Sequence, residues 1–108
     1  MYVNIEEHDC VRKFWQSKSL ALRLQLEYKR FQSLLKSELY PLEAELIEGL
    51  PEHFLYPLTT GHQVYYQVKQ ISLEPEIYLV TIKRIATSAE IVNILLPEIK
   101  KSLLQQPA

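Results

Sequence analysis

The chain predicts an α+β fold in one domain spanning residues 1–108: a short N-terminal strand, a helix pair, a three-stranded antiparallel meander and a C-terminal helix. Three observations carry this expectation. Between Gly49 and Arg84, three runs rich in aromatic and β-branched residues are separated by Thr59-Thr60-Gly61 and by Ser72-Leu73-Glu74-Pro75, the punctuation expected of hairpins. On either side of that stretch the apolar residues recur at helical rather than alternating spacing. At 108 residues, 47% apolar and 23% charged, the chain has the size and composition of one globular unit with a single core.

The elements follow in order. Tyr2-Val3-Asn4-Ile5 alternates apolar and polar and predicts a short first strand. His8 or Asp9 then opens a helix with Val11, Phe14 and Trp15 on one side, best read as core residues. Ser17-Lys18-Ser19 offers a break with Ser19 as an N-cap. From there Leu20, Leu24, Tyr28, Phe31 and Leu35 form an amphipathic stripe, and Leu22, Leu26, Leu34 and Leu39 widen it, which predicts a helix buried on more than one side. Pro41 stops that helix or begins another turn, Leu42 to Glu48 reads as a short helical continuation, and Gly49 with Pro51 ends it.

The meander is expected near residues 53–58, 62–71 and 76–84. In its middle run Val64, Tyr66 and Val68 share one face, and Gln63, Tyr65, Gln67 and Lys69 the other. The last run, Ile77 to Ile82, is almost continuously apolar, as a strand covered on both faces would be. Thr87-Ser88-Ala89-Glu90 has capping-box spacing and begins a final helix marked by Ile91, Leu95, Ile99 and Leu103. Pro97 predicts a kink or a division into two helices there, and 105–108 a frayed tail.

Composition narrows the function classes. The net charge is −1, but its distribution is uneven. Residues 10–37 hold Arg12, Lys13, Lys18, Arg23, Lys29, Arg30 and Lys36 against Glu27 alone. Residues 38–76 hold Glu38, Glu43, Glu45, Glu48, Glu52, Glu74 and Glu76 against Lys69 alone. Such segregation either builds a basic face for an acidic partner or nucleic acid, or is two solvated faces offsetting each other, in keeping with the weakness of exposed charge pairs. No apolar run approaches the roughly 20 residues that span a bilayer. The start, Met1-Tyr2-Val3-Asn4-Ile5-Glu6-Glu7, has no basic lead or apolar h-region. With the single Cys10 forming no internal disulfide, the expectation is a cytoplasmic protein without a membrane partner. His8 and Cys10 lack a second ligand pair at zinc spacing, and two glycines cannot make a glycine-rich phosphate loop, so neither metal nor cofactor is expected.

The element order and several short segments resemble the RelE/ParE superfamily of bacterial type II toxin–antitoxin systems. Tyr2 to Trp15 is similar to the family's first strand and helix, and Gly49-Leu50-Pro51-Glu52 to its entry into the meander. Gly61 to Val68 is similar to the central strand, and Ile82-Lys83-Arg84 to the last strand with its basic exit. The resemblance spans nearly the whole chain through short motifs. It implies a RelE-like fold and an antitoxin-like partner. In the RNA-cleaving branch it further implies binding of messenger RNA on the ribosome, where basic groups stabilise charge at phosphorus and assist proton transfer from the 2′-hydroxyl.

Against that pattern the chain is depleted. Phe54, Leu55, Tyr56 and Pro57 occupy the strand where that branch carries lysines, and Gln63 stands where an arginine is usual. No tyrosine or histidine follows Arg84. The candidate catalytic set is therefore His62, Tyr65, Lys83 and Arg84, with His53 on the same expected face. His62 is a candidate acid or base because an unperturbed imidazole titrates near neutrality, although a polar residue beside a turn glycine is the plainer reading. Tyr65 and Tyr66 can stack on bases or divide between the core and a half-exposed face. Lys83-Arg84 is either a phosphate clamp or a solubilising strand end. Three readings follow: a toxin-fold protein acting mainly by binding an antitoxin or target, a ribosome-dependent RNA endonuclease, and a small interaction domain without a toxin role.

Overall fold

The computed structural model of the chain describes residues 1–16 and 21–105. The elements are β1 (Tyr2–Glu7), α1 (Asp9–Gln16), α2 (Leu22–Leu35), β2 (Glu45–Leu46), β3 (His53–Pro57), β4 (His62–Leu73), β5 (Glu76–Thr87) and α3 (Ser88–Gln105). They build one mixed five-stranded sheet in the order β1-β5-β4-β3-β2. β1 runs parallel to β5, and the remaining neighbours are antiparallel. Among the described residues no helix is long and apolar enough to cross a membrane.

Period-2 alternation divides the sheet into two faces. Val64, Tyr66, Val68, Val80 and Ile82 face α1 and α2 and join Val11, Leu24, Tyr28, Phe31 and Leu35 in the main core. Tyr65 and Ala86 face the other way, into a smaller core closed by Ile91 and Leu95 of α3. The alternation expected in β4 therefore holds, with Tyr65 buried as fully as its neighbours because α3 lies over it.

α1 begins where His8 leaves the strand: the Val11 and Arg12 N–H groups donate to the His8 carbonyl, as at an N-cap. In α2 the stripe Leu24, Tyr28, Phe31 and Leu35 is buried, while Leu22 and Leu26 are 69% and 58% exposed. The helix thus has one buried face and not the wider one expected, because the sheet covers it from one side only. It also ends at Leu35; the Ser37 and Glu38 N–H groups turn back onto the Leu34 carbonyl. Leu39 is buried from the following turn. Ser19 as an N-cap, Leu20 in the stripe and the tail residues 106–108 lie outside the described residues.

The helical continuation expected at Leu42 to Glu48 is instead a turn followed by β2, whose Glu45 and Leu46 pair with Leu55 and Phe54. The seven residues between Pro41 and Gly49 are too few to offset helix nucleation, and the open edge of β3 supplies hydrogen-bond partners. The sheet consequently has more strands than the sequence pattern indicated. Gly49 adopts φ +88°, and a Cβ there would stand 3.3 Å from Ile99 of α3; the turn needs both the left-handed backbone and the missing side chain.

The meander is longer than expected at its β4 and β5 ends. A bulge interrupts the β4–β5 ladder, where Tyr65 pairs with Arg84 but Tyr66 with Ile82, leaving Lys83 as the extra residue. The β3–β4 turn is tied to α2 by Glu27, whose carboxylate accepts from the Thr59 N–H at 2.8 Å and the Thr59 hydroxyl at 2.6 Å. At the start of α3, the Glu90 N–H donates to Thr87 Oγ1 at 3.4 Å, one half of the expected capping box. The helix continues through Pro97 as one element, not two. Ile91 and Leu95 are buried, whereas Leu103 is 56% exposed, since the helix outruns the sheet it covers.

Candidate functional site

The bulge at Lys83 builds the site. In a regular strand adjacent side chains point to opposite faces; the extra residue lets Lys83 and Arg84 line the same cleft. This cleft, about 480 Å³, lies between the bulge, the start of α1 and the middle turns of α3, and is lined also by His8, Cys10, Asn93, Ile94, Pro97 and Glu98.

Lys83 Nζ reaches His53 Nε2 at 2.9 Å and stands 5.7 Å from the centroid of the Tyr65 ring. His53 and Tyr65 lie ring against ring, with centroids 5.7 Å apart. β3 places His53 opposite Gln67, and β4 carries Tyr65 two residues before Gln67, so period-2 alternation puts both on the α3 side.

The protonation geometry follows from the donors. Lys83 only donates, so His53 Nε2 accepts. His53 Nδ1 lies 2.7 Å from the Pro51 carbonyl and must therefore carry the proton, which is the neutral tautomer. Burial is the main influence lowering the His53 pKa from its ordinary value, and the Lys83 charge adds to it. The Pro51 carbonyl and the carboxylates Glu52 and Glu98 act in the opposite direction. Tyr65 is pushed up to about 12, first by burial and then by Glu98. Its hydroxyl is buried without a hydrogen-bond partner among the described residues. The cluster thus offers two cations, an imidazole whose nitrogens are both engaged, and a phenol held in its neutral form under a helix.

Of the residues singled out in the sequence, the structure brings Lys83, Arg84, Tyr65 and His53 together. It does not bring His62. That residue shares a face with Val64 and Tyr66, its ring packs 6.1 Å from Phe14 in the main core, and its Nδ1 lies 3.0 Å from Thr60 Oγ1. The period of two along β4 separates it from Tyr65 by the thickness of the sheet. Phe54 and Tyr56 also belong to the opposite face, in the main core. The β3 positions facing the cluster are His53, Leu55 and Pro57, so His53 is the one ionisable side chain this strand contributes.

Asn93 and Glu98 escaped sequence reasoning because their place depends on how α3 crosses the sheet. His8 and Cys10 read in the sequence as a helix start and an incomplete ligand pair, not as the wall of a cleft. Among the described residues no group of three His, Cys, Asp or Glu side chains is placed to hold a metal.

Comparison of the chain with protein-family models, with curated proteins and with solved structures finds no match.

Proposed function

We propose that the chain is a RelE/ParE-like toxin-fold protein that acts mainly by binding an antitoxin-like protein or a target, with its RNA-cleaving apparatus depleted. The observation that carries this reading is the state of the His53–Lys83–Tyr65 cluster. Both His53 nitrogens are engaged, and the Tyr65 hydroxyl is sealed under α3. General acid–base catalysis requires a group within hydrogen-bond reach of the substrate; the covered Tyr65 hydroxyl lacks that reach, and His53 would first have to release Lys83 or the Pro51 carbonyl. The order of strand, helix pair, meander and helix supports the fold part of the reading.

A ribosome-dependent endoribonuclease is the second reading. It is favoured by Lys83 and Arg84 sharing one cleft, a pair of cations suited to a phosphate. In the third, the chain is a small interaction domain without a toxin role.

Expression in a bacterial host, with growth and transcript integrity followed beside Lys83→Ala/Arg84→Ala, separates them. Growth arrest with intact transcripts, and an antitoxin-like protein on pull-down, is the expected result. Ribosome-dependent cleavage lost in the double variant would establish the enzyme instead. No arrest and no such partner would leave the interaction domain.

A further inference from the structure

α2 and β3 leave a pocket between them on the main-core face, across the sheet from His53, Lys83 and Tyr65. It measures about 470 Å³, within the range of roughly 300–1,000 Å³ typical of small-molecule sites. Its floor is apolar. Phe31 comes from the buried stripe of α2, Leu58 from the end of β3, and the Tyr56 ring lies 4.6 Å from that of Phe31.

Charged groups stand at the rim. α2 carries Glu27 and Arg30 one turn apart on the same side, and Glu43 comes from the turn before β2. Glu27 is already engaged: its carboxylate holds Thr59 and lies 3.3 Å from Arg23 Nε. Arg30 and Glu43 are both exposed. Among the described residues neither takes part in an ion pair, with each other or with a third group. Both nevertheless bear on the Tyr56 hydroxyl, which makes no hydrogen bond among the described residues. Burial is the main cause raising the Tyr56 pKa, Glu43 and then Glu27 add to it, and Arg30 opposes them. One guanidinium and one carboxylate thus face the same apolar floor, held beyond ion-pair distance of each other.

We propose that this pocket binds a free α-amino acid with an aromatic side chain: the Arg30 guanidinium takes the carboxylate, the Glu43 carboxylate takes the ammonium, and the ligand ring lies on Tyr56 and Phe31. Each charge of the zwitterion meets its opposite through a charge-assisted hydrogen bond, and a ring on an aromatic floor gains contact in addition to the area it buries. A simple anion fits less well, since Glu27 and Glu43 both face it, and the same repulsion disfavours a phosphate. A simple cation leaves Arg30 as a like charge beside it. A residue inside a peptide chain has neither of the two α-charges, so the rim selects the free amino acid. His53, Lys83 and Tyr65 take no part, and binding here is independent of any growth phenotype.

The test is a chemical-shift titration of the amides of the full chain with L-phenylalanine. Three analogues run beside it: phenethylamine, which lacks the carboxylate, hydrocinnamate, which lacks the ammonium, and glycine, which lacks the ring. Phenylalanine should shift the amides of Arg30, Tyr56 and Thr59 along a saturating curve, and each analogue should bind about tenfold more weakly or not at all. Arg30→Gln should bring phenylalanine down to the affinity of phenethylamine without weakening phenethylamine itself. Glu43→Gln should likewise bring it down to that of hydrocinnamate. Both side chains are exposed, so the variants should keep the fold. Phenethylamine binding as tightly as phenylalanine would make this a cation site, and hydrocinnamate doing so an anion site; either overturns the assignment. Shifts confined to another part of the chain, phenylalanine binding indifferent to both variants, or no saturable binding up to its solubility limit would overturn it as well.

Discussion

Lys83 Nζ stands 2.9 Å from His53 Nε2, joining a bulge residue of β5 to the first residue of β3 across the intervening strand. The contact makes the imidazole an acceptor toward a cation, and its titration should report this. Replacing Lys83 with Met should raise the His53 pKa, because one of the influences holding it down is removed. It should remain below the ordinary 6.5, because burial is the larger cause. Following the His53 Cε1–H resonance against pH checks both halves. The same depressed value has a stability consequence: the unfolded chain takes up this proton first, so stability should decline as pH falls below about 6.5 and on through the lower folded value.

Glu27 and Thr59 provide a second pH-dependent tie. The Glu27 carboxylate is lowered from its ordinary 4.5, chiefly by the Thr59 hydroxyl, then by the Thr59 N–H and more weakly by Arg23. A lowered acid stabilises the fold above its unfolded pKa and loses that contribution as pH falls through the folded value. Glu27→Gln should therefore flatten the acid limb of a thermal-melt series below about pH 4.5. An unchanged limb would mean that the turn is held by its own backbone.

The one-sided burial of α2 can be tested by truncation. Leu24 and Phe31 are 2% and 1% exposed, so Leu24→Ala and Phe31→Ala should each cost roughly 2–5 kcal/mol in urea unfolding. Leu22 is 69% exposed, and Leu22→Ala should stay within about 0.5 kcal/mol. A large loss at Leu22 would show a second buried face on this helix.

The two glycines separate backbone strain from steric contact. Both have φ near +90°, but a Cβ at Gly61 meets nothing within 4 Å, whereas one at Gly49 meets Ile99 at 3.3 Å. Gly61→Ala should cost about 1 kcal/mol for the left-handed backbone, and Gly49→Ala measurably more, with Ile99→Ala recovering the excess.

On the proposed toxin-fold reading, adding one basic group should not bring about cleavage. Gln63 pairs with Pro57 and Ala86, and Gln63→Arg leaves His53 engaged and Tyr65 covered. One fixed charge is worth about 10²–10³ in rate only where the rest of the apparatus is in place. Transcript integrity on expressing Gln63→Arg should match the parent chain; ribosome-dependent cleavage would refute the depleted reading.

What could be read in the sequence was what repeats locally. The alternation of Val64, Tyr66 and Val68 and the stripe Leu24, Tyr28, Phe31 and Leu35 each express a period of their own element, and both proved buried. The β2 strand did not show, because two residues carry no period and Leu42 to Glu48 has as many apolar positions as a helical turn would. The site was half legible. Lys83 and Arg84 were visible as a basic pair, but their common cleft depends on a bulge that only pairing with Tyr65 and Tyr66 creates. His62 was legible as well: the alternation that sets Val64 and Tyr66 against Tyr65 already puts His62 with the former, across the sheet from the cluster.

The parallel pairing of β1 with β5 also bears on how the chain is made. Glu6 and Thr81 meet across 75 residues of sequence, whereas β3, β4 and β5 are joined by turns of a few residues. During synthesis β1 leaves the ribosome well before the strand it needs, and the helices and the meander hairpins can form before it docks. Contacts so distant in sequence are closed slowly. A pulse-labelled hydrogen-exchange experiment on refolding should find the amides of Asn4 and Glu6 protected after those at the β4–β5 ladder, so that the sheet's first strand in chain order is the last to join it.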